Sequence, residues 1–97
     1  MAKSVAVEYI EGVTQSGFNF KVDPEVVKDM AFVELAAAAQ KNPVKYPEFI
    51  GFILGEAQKE KLYEHVKKDN GRIPLDDVNT ELKEILEKVN QAEETKN

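Results

Sequence analysis

From residue 75 onward the chain places apolar side chains at Leu75, Val78, Leu82, Ile85 and Val89, alternating spacings of three and four. That is the period of a helix with one apolar face, and Leu86 widens the stripe. Such a helix must lay its stripe on something, so the remaining residues have to supply a core or another protein has to cover it. The stripe spans about two heptads, short of the three or four that argue a coiled coil. Two readings therefore stand side by side. In one the helix docks on its own core. In the other Leu75, Val78, Leu82, Ile85, Leu86 and Val89 are partly offered to a partner, which makes them the candidate partner-binding residues.

The front of the chain follows a different period. Val5, Val7 and Tyr9 alternate, and so do Phe18, Phe20 and Val22, with Asn19 and Lys21 opposed. Between the two runs lie turn formers from Glu11 to Gly17. The pattern predicts an antiparallel β-hairpin over residues 4–22, which needs helices or another edge to pack on because an isolated hairpin is marginal in water.

Asp23-Pro24 marks the change of period. Asp accepts free amide hydrogens at a helix start, and Pro suits the first helical position. The spacing predicts a helix with Val26, Met30, Val33 and Ala37 on one face, a smooth small surface at Ala36–Ala39, and an end at Asn42-Pro43. A short second helix opens at Tyr46-Pro47-Glu48. It is apolar nearly all round, so Phe49, Phe52 and Ile53 are predicted as core. Gly55 should break it. A third helix runs from Glu56 to about Lys68, with Leu62 and Val66 on one side, and Asn70-Gly71 should stop it. The fourth starts near Pro74. The expected fold is α+β, mainly α: an N-terminal hairpin followed by a bundle of about four short helices over residues 23–90. At 97 residues the chain suits one domain. Residues 91–97 are polar and expected to be a disordered tail.

Composition narrows the chemistry. Net charge is −5, and a single arginine, Arg72, stands among 13 basic residues. Nucleic-acid recognition favours arginine forks on a concentrated basic face, so no nucleic-acid partner is expected. Without cysteine there is neither disulfide nor thiolate chemistry. The opening residues lack the apolar core of a signal peptide, and no apolar run is long enough to span a bilayer, so a cytoplasmic location without membrane contact is expected.

No catalytic pattern emerges. His65 is the only histidine, too few for a recognisable metal set. Ser4 and Ser16 sit in no nucleophile elbow. Asp76 and Asp77 suit the positive end of a helix dipole. If Gly71 were the sixth position of a calcium loop, the first, third and twelfth would be Val66, Lys68 and Asp77, and valine and lysine cannot coordinate the ion. No enzyme activity, cofactor or metal is expected.

Three short segments and their order carry a family resemblance: Phe18-Asn19-Phe20-Lys21-Val22-Asp23-Pro24 before a helix, Leu54-Gly55-Glu56-Ala57-Gln58-Lys59, and Asp69-Asn70-Gly71-Arg72-Ile73-Pro74 before an acidic terminal helix. Over residues 18–90 the chain resembles the small tail assembly chaperones of long-tailed bacteriophages and prophages of Gram-positive bacteria. The resemblance implies a non-catalytic protein of the host cytoplasm, absent from the mature virion. It would hold the tape measure protein soluble until tail tube subunits polymerise around it. The implied partners are the tape measure protein and, through a longer frameshifted form found in many relatives, the tail tube protein; self-association through the last helix or the hairpin edge is a separate expectation from the residues. A phage regulator touching DNA near Asn70 and a structural connector that stays in the particle are the other classes the residues allow.

Overall fold

The computed structural model of the chain describes residues 8–94. Two strands, β1 (Ile10–Val13) and β2 (Asn19–Val22), form an antiparallel hairpin, and four helices follow: α1 (Met30–Lys41), α2 (Tyr46–Leu54), α3 (Glu56–Val66) and α4 (Leu75–Glu94). The fold is thus α+β and mainly α, as the change of period predicts.

The hairpin pairs Ile10 with Val22 and Val13 with Asn19 at its two ends. Phe18, Phe20 and Val22 point into the core, while Asn19 and Lys21 are exposed, as their alternation requires. The first strand lies later than expected. It takes in Ile10–Val13, residues assigned above largely to the turn, and the turn contracts to Thr14–Gly17. Val5 and Val7 lie outside the described residues, and Tyr9 precedes the strand. Gly12 permits the later register. The Phe20 ring lies so close that a Cβ on Gly12 would sit 2.8 Å from its Cζ. A side chain there would force the buried ring out of place.

The region after Asp23 departs most from expectation. A 3-10 turn over Pro24–Lys28 comes first, capped by the Asp23 carboxylate on the Glu25 amide. The chain then breaks at Asp29, whose extended backbone and side chain start α1 afresh by accepting from Ala31 N–H. The restart rotates the helix relative to a continuous one. Met30 and Val33 are therefore exposed, and Phe32, Leu35, Ala36 and Ala39 face the core. Since α1 has no fully buried residue, it forms an outer layer.

The centre is α2, which buries Phe49, Ile50, Ile53 and Leu54. At about 100° per residue, Phe52 falls outside the arc those four define and is only partly buried, so it is not the core ring expected above. Gly55 turns α2 into α3 with φ +82° and ψ +157°, a backbone region essentially restricted to glycine. Leu62 and Val66 are buried as expected, but α3 ends at Val66, two residues early, because Lys67 is extended. Gly71, at φ +86°, bends the following loop instead of ending the helix, and Lys68 N–H donates to Arg72 O across it at 2.8 Å.

α4 closes the core. Val78, Leu82, Ile85 and Val89 meet the hairpin face, α2 and α3 in one apolar cluster. The helix continues through Glu94, so residues 91–94 are helical where a tail was expected. Residues 95–97 lie outside the described residues.

Candidate binding surfaces and a buried carboxylate

The six candidate partner-binding residues separate in the structure. Val78, Leu82, Ile85 and Val89 are buried in the chain's own core, and Leu86 is partly buried against it. In this conformation Leu82, Ile85 and Val89 are covered by the chain's own core, whereas Leu86 keeps part of its surface exposed. Leu75 differs: it is 59% exposed at the start of α4.

Around Leu75 the surface is concave and apolar. Asn42 ends α1 and, by accepting from Val44 N–H, shapes the 3-10 turn Pro43–Lys45 that leads into α2. This turn sets Tyr46 between two hollows. One, of about 400 Å³, lies between α1 and the start of α4 and is lined by Ala36, Ala39, Phe49 and Asn79 among others. The other, of about 310 Å³, is lined by Pro47, Ile50, Tyr63, Ile73 and Val78. Pro43, Tyr46 and Leu75 border both, so the hollows form one groove. Ile73 is exposed at its margin. The expected role of Ala36–Ala39 as a smooth surface survives in part: Ala36 and Ala39 floor this groove while also touching the core.

The Tyr46 hydroxyl donates to Asn79 Oδ1 at 2.9 Å. Burial, with a smaller contribution from neighbouring Tyr63, raises its pKa above the ordinary 10.0. The folded chain therefore holds this proton to higher pH than the unfolded chain does. The associated stability is complete below pH 10 and is lost as pH rises through the folded-state value. Ion pairing raises Lys28 and Lys59 as well, so comparison with Tyr46→Phe isolates the phenol. The difference in phenolate absorbance between the two proteins should have its midpoint above pH 10. The unfolding free energy of the parent should fall relative to the variant over that same range.

A second cluster joins the hairpin turn to the helices. Glu81 is 6% exposed and accepts from Thr14 Oγ1 at 2.7 Å and Ser16 Oγ at 2.8 Å. Thr14 Oγ1 also accepts from Phe18 N–H, and the Gln15 amide donates to Glu84 Oε2. His65 Nε2 lies 2.8 Å from Ser16 Oγ, and its ring is tilted against Phe18. Serine, histidine and glutamate thus meet, but in the wrong order for nucleophilic catalysis. In a triad the histidine stands between hydroxyl and acid and removes the hydroxyl proton. Here the acid contacts the hydroxyl and not the histidine, Ser16 donating to Glu81, and the trio is a fastening. The sequence reading missed it, although one signal was present: Glu81, three residues after Val78 and four before Ile85, is an acid on an apolar helix face.

Among the described residues no group of three or more His, Asp or Glu side chains is arranged to hold a metal ion. Lys68 pairs with Asp77 at 3.0 Å across the loop tested above for calcium. No described helix is long and apolar enough to cross a membrane. Comparison with protein-family models, curated proteins and solved structures gave no match.

Proposed function

We propose that the chain is a non-catalytic binding protein of the tail assembly chaperone kind, whose client is an amphipathic helical stretch of a tape measure protein. The observation that carries this reading is the groove around Tyr46, with Leu75 exposed beside it. An amphipathic helix binds by seating apolar anchors in such a groove. Leu75, Ile73 and the Tyr46 ring offer apolar contact, and Asn79 and Asp76 supply a polar margin. The client surface thus moves from the stripe of the last helix to its first residue and the neighbouring helices. The resemblance over residues 18–90 supplies the identity of the client, and with it a role in the host cytoplasm before the virion is complete.

The test is titration of a tape measure fragment against the chain and its Leu75→Asp variant. Leu75 is exposed, so the variant should fold. A charge in the apolar contact should weaken binding roughly tenfold or more, because burying an unpaired carboxylate is costly. Because apolar burial is not screened by ions, the parent's affinity should change little with salt. Equal affinities for parent and variant would remove the groove from the binding surface.

A further inference from the structure

The outer edge of β2 carries an arrangement that the groove does not use. In an antiparallel ladder the backbone groups of successive residues point alternately toward the neighbouring strand and away from it. Thr14 N–H donates across the ladder to Phe18 O, so by this alternation the N–H and C=O of Lys21 face away from β1. Both are taken by one side chain. Gln58 Oε1 accepts from Lys21 N–H at 2.8 Å, and Gln58 Nε2 donates to Lys21 O at 2.7 Å. This two-bond ring is the pattern that a residue of an added strand would make with Lys21. Nε2 also donates to Leu54 O at the end of α2.

The surroundings specify a charge. A cleft of about 400 Å³ opens here, lined by Tyr9, Lys21, Leu54, Gln58 and Lys61. The Lys21 ammonium sits 4.6 Å from the centre of the Tyr9 ring. Lys28, Lys59, Lys67, Lys68 and Lys88 each hold a carboxylate, whereas among the described residues neither Lys21 nor Lys61 is in an ion pair. Two cations that make no ion pair among the described residues, as Lys41, Lys45 and Lys83 also make none, therefore flank a backbone pairing position in a chain of net charge −5. The acid opposite Lys21 on β1 is Glu11, its register partner.

We propose that the β2 edge is a strand-acceptor site for an extended acidic segment of a partner protein, with the Gln58 carboxamide as its resident stand-in. The incoming backbone replaces Gln58 on Lys21, and its carboxylates lie between Lys21 and Lys61. Gln58 then turns to water, where its amide remains hydrogen-bonded, at the cost of its bond to Leu54 O. The site lies apart from the groove around Tyr46 and does not depend on the client assigned to that groove.

The probe is a labelled peptide alternating glutamate and valine, titrated into the isotopically labelled full chain, with a lysine–valine peptide as control. The expected result is slowed exchange of the Lys21 amide and a shift of the Gln58 side-chain amide signals. Lys61→Glu should weaken binding roughly fivefold, the scale of one exposed charge contact. Gln58→Ala, which removes the competitor, should strengthen it severalfold. If Gln58→Ala does not fold, the parent and Lys61→Glu titrations decide the matter alone. Unmoved Gln58 signals at millimolar peptide, equal binding of the lysine peptide, or self-association of Gln58→Ala in place of peptide binding would each overturn the proposal.

Discussion

Ile85→Ala is expected to lower the free energy of unfolding by about 2–5 kcal/mol, the range for removing a large aliphatic side chain from a packed core. Ile85 is fully buried midway along α4, in the cluster shared with the hairpin, α2 and α3. The loss has two parts. The deleted carbons no longer gain from burial, and the surrounding side chains relax only partly into the cavity. Small domains are stable by about 5–15 kcal/mol in all, so a loss of this size can leave a substantial unfolded fraction. Urea titration monitored by helical circular dichroism gives the number directly. Leu75→Ala on the same helix should change stability by less than about 0.5 kcal/mol, because an exposed side chain loses little contact. Similar losses at the two positions would mean that α4 is not seated as described.

The second large effect belongs to Glu81. Glu81→Ala should cost about 2–3 kcal/mol, since it strips the acceptor from a hydroxyl with almost no access to water. Thr14 is 4% exposed, and its Oγ1 also receives the Phe18 amide, so the loss reaches the backbone of the turn. Glu81→Gln tests the polarity of the cluster. Its oxygen still accepts from Thr14, but its NH2 now faces Ser16, which must accept where it had donated. Ser16 can then give its proton to His65, in the tautomer with Nε2 bare, or to Thr14 Oγ1. The expected cost is about 1 kcal/mol, with a shift in the His65 ring signals. Amide exchange over residues 14–18 separates this local loosening from global unfolding. An alanine variant as stable as the parent would show that the carboxylate bears no weight in the folded chain.

Periodicity was legible wherever one element meets one surface. The alternation at Phe18, Phe20 and Val22 and the stripe from Val78 to Val89 each face a single core, so spacing and burial coincide. It failed where a short cap outweighed it. Asp29 interrupts what reads as a continuous amphipathic run, and the local hydrogen bond to Ala31 moves the buried face from Met30 and Val33 to Phe32 and Leu35. Phe52 was misplaced for the opposite reason: α2 is apolar all round, so pattern alone could not tell its inner arc from its outer one. The groove around Tyr46 arises from a turn that brings Pro43 and Leu75 together, residues far apart in sequence, and no local signal announces that meeting. Gln58 on the β2 edge is of the same kind. The stripe from Leu75 to Val89 left two readings open, and burial of Val78, Leu82, Ile85 and Val89 favours the internal one for those four side chains.

The fastening of the hairpin turn has a bearing on how the chain is made. Thr14 and Glu81 are 67 residues apart. A ribosome delivers the hairpin before α4, at about 5–20 residues per second. Until Glu81 emerges, Phe18, Phe20 and Val22 have no helix to complete their cover, and the turn hydroxyls have no carboxylate to hold. The nascent chain thus spends seconds with a sticky strand pair and its cognate lid still in the exit tunnel. Closure waits until Glu81 has left the tunnel, and it ties the hairpin turn to a helix made 67 residues later.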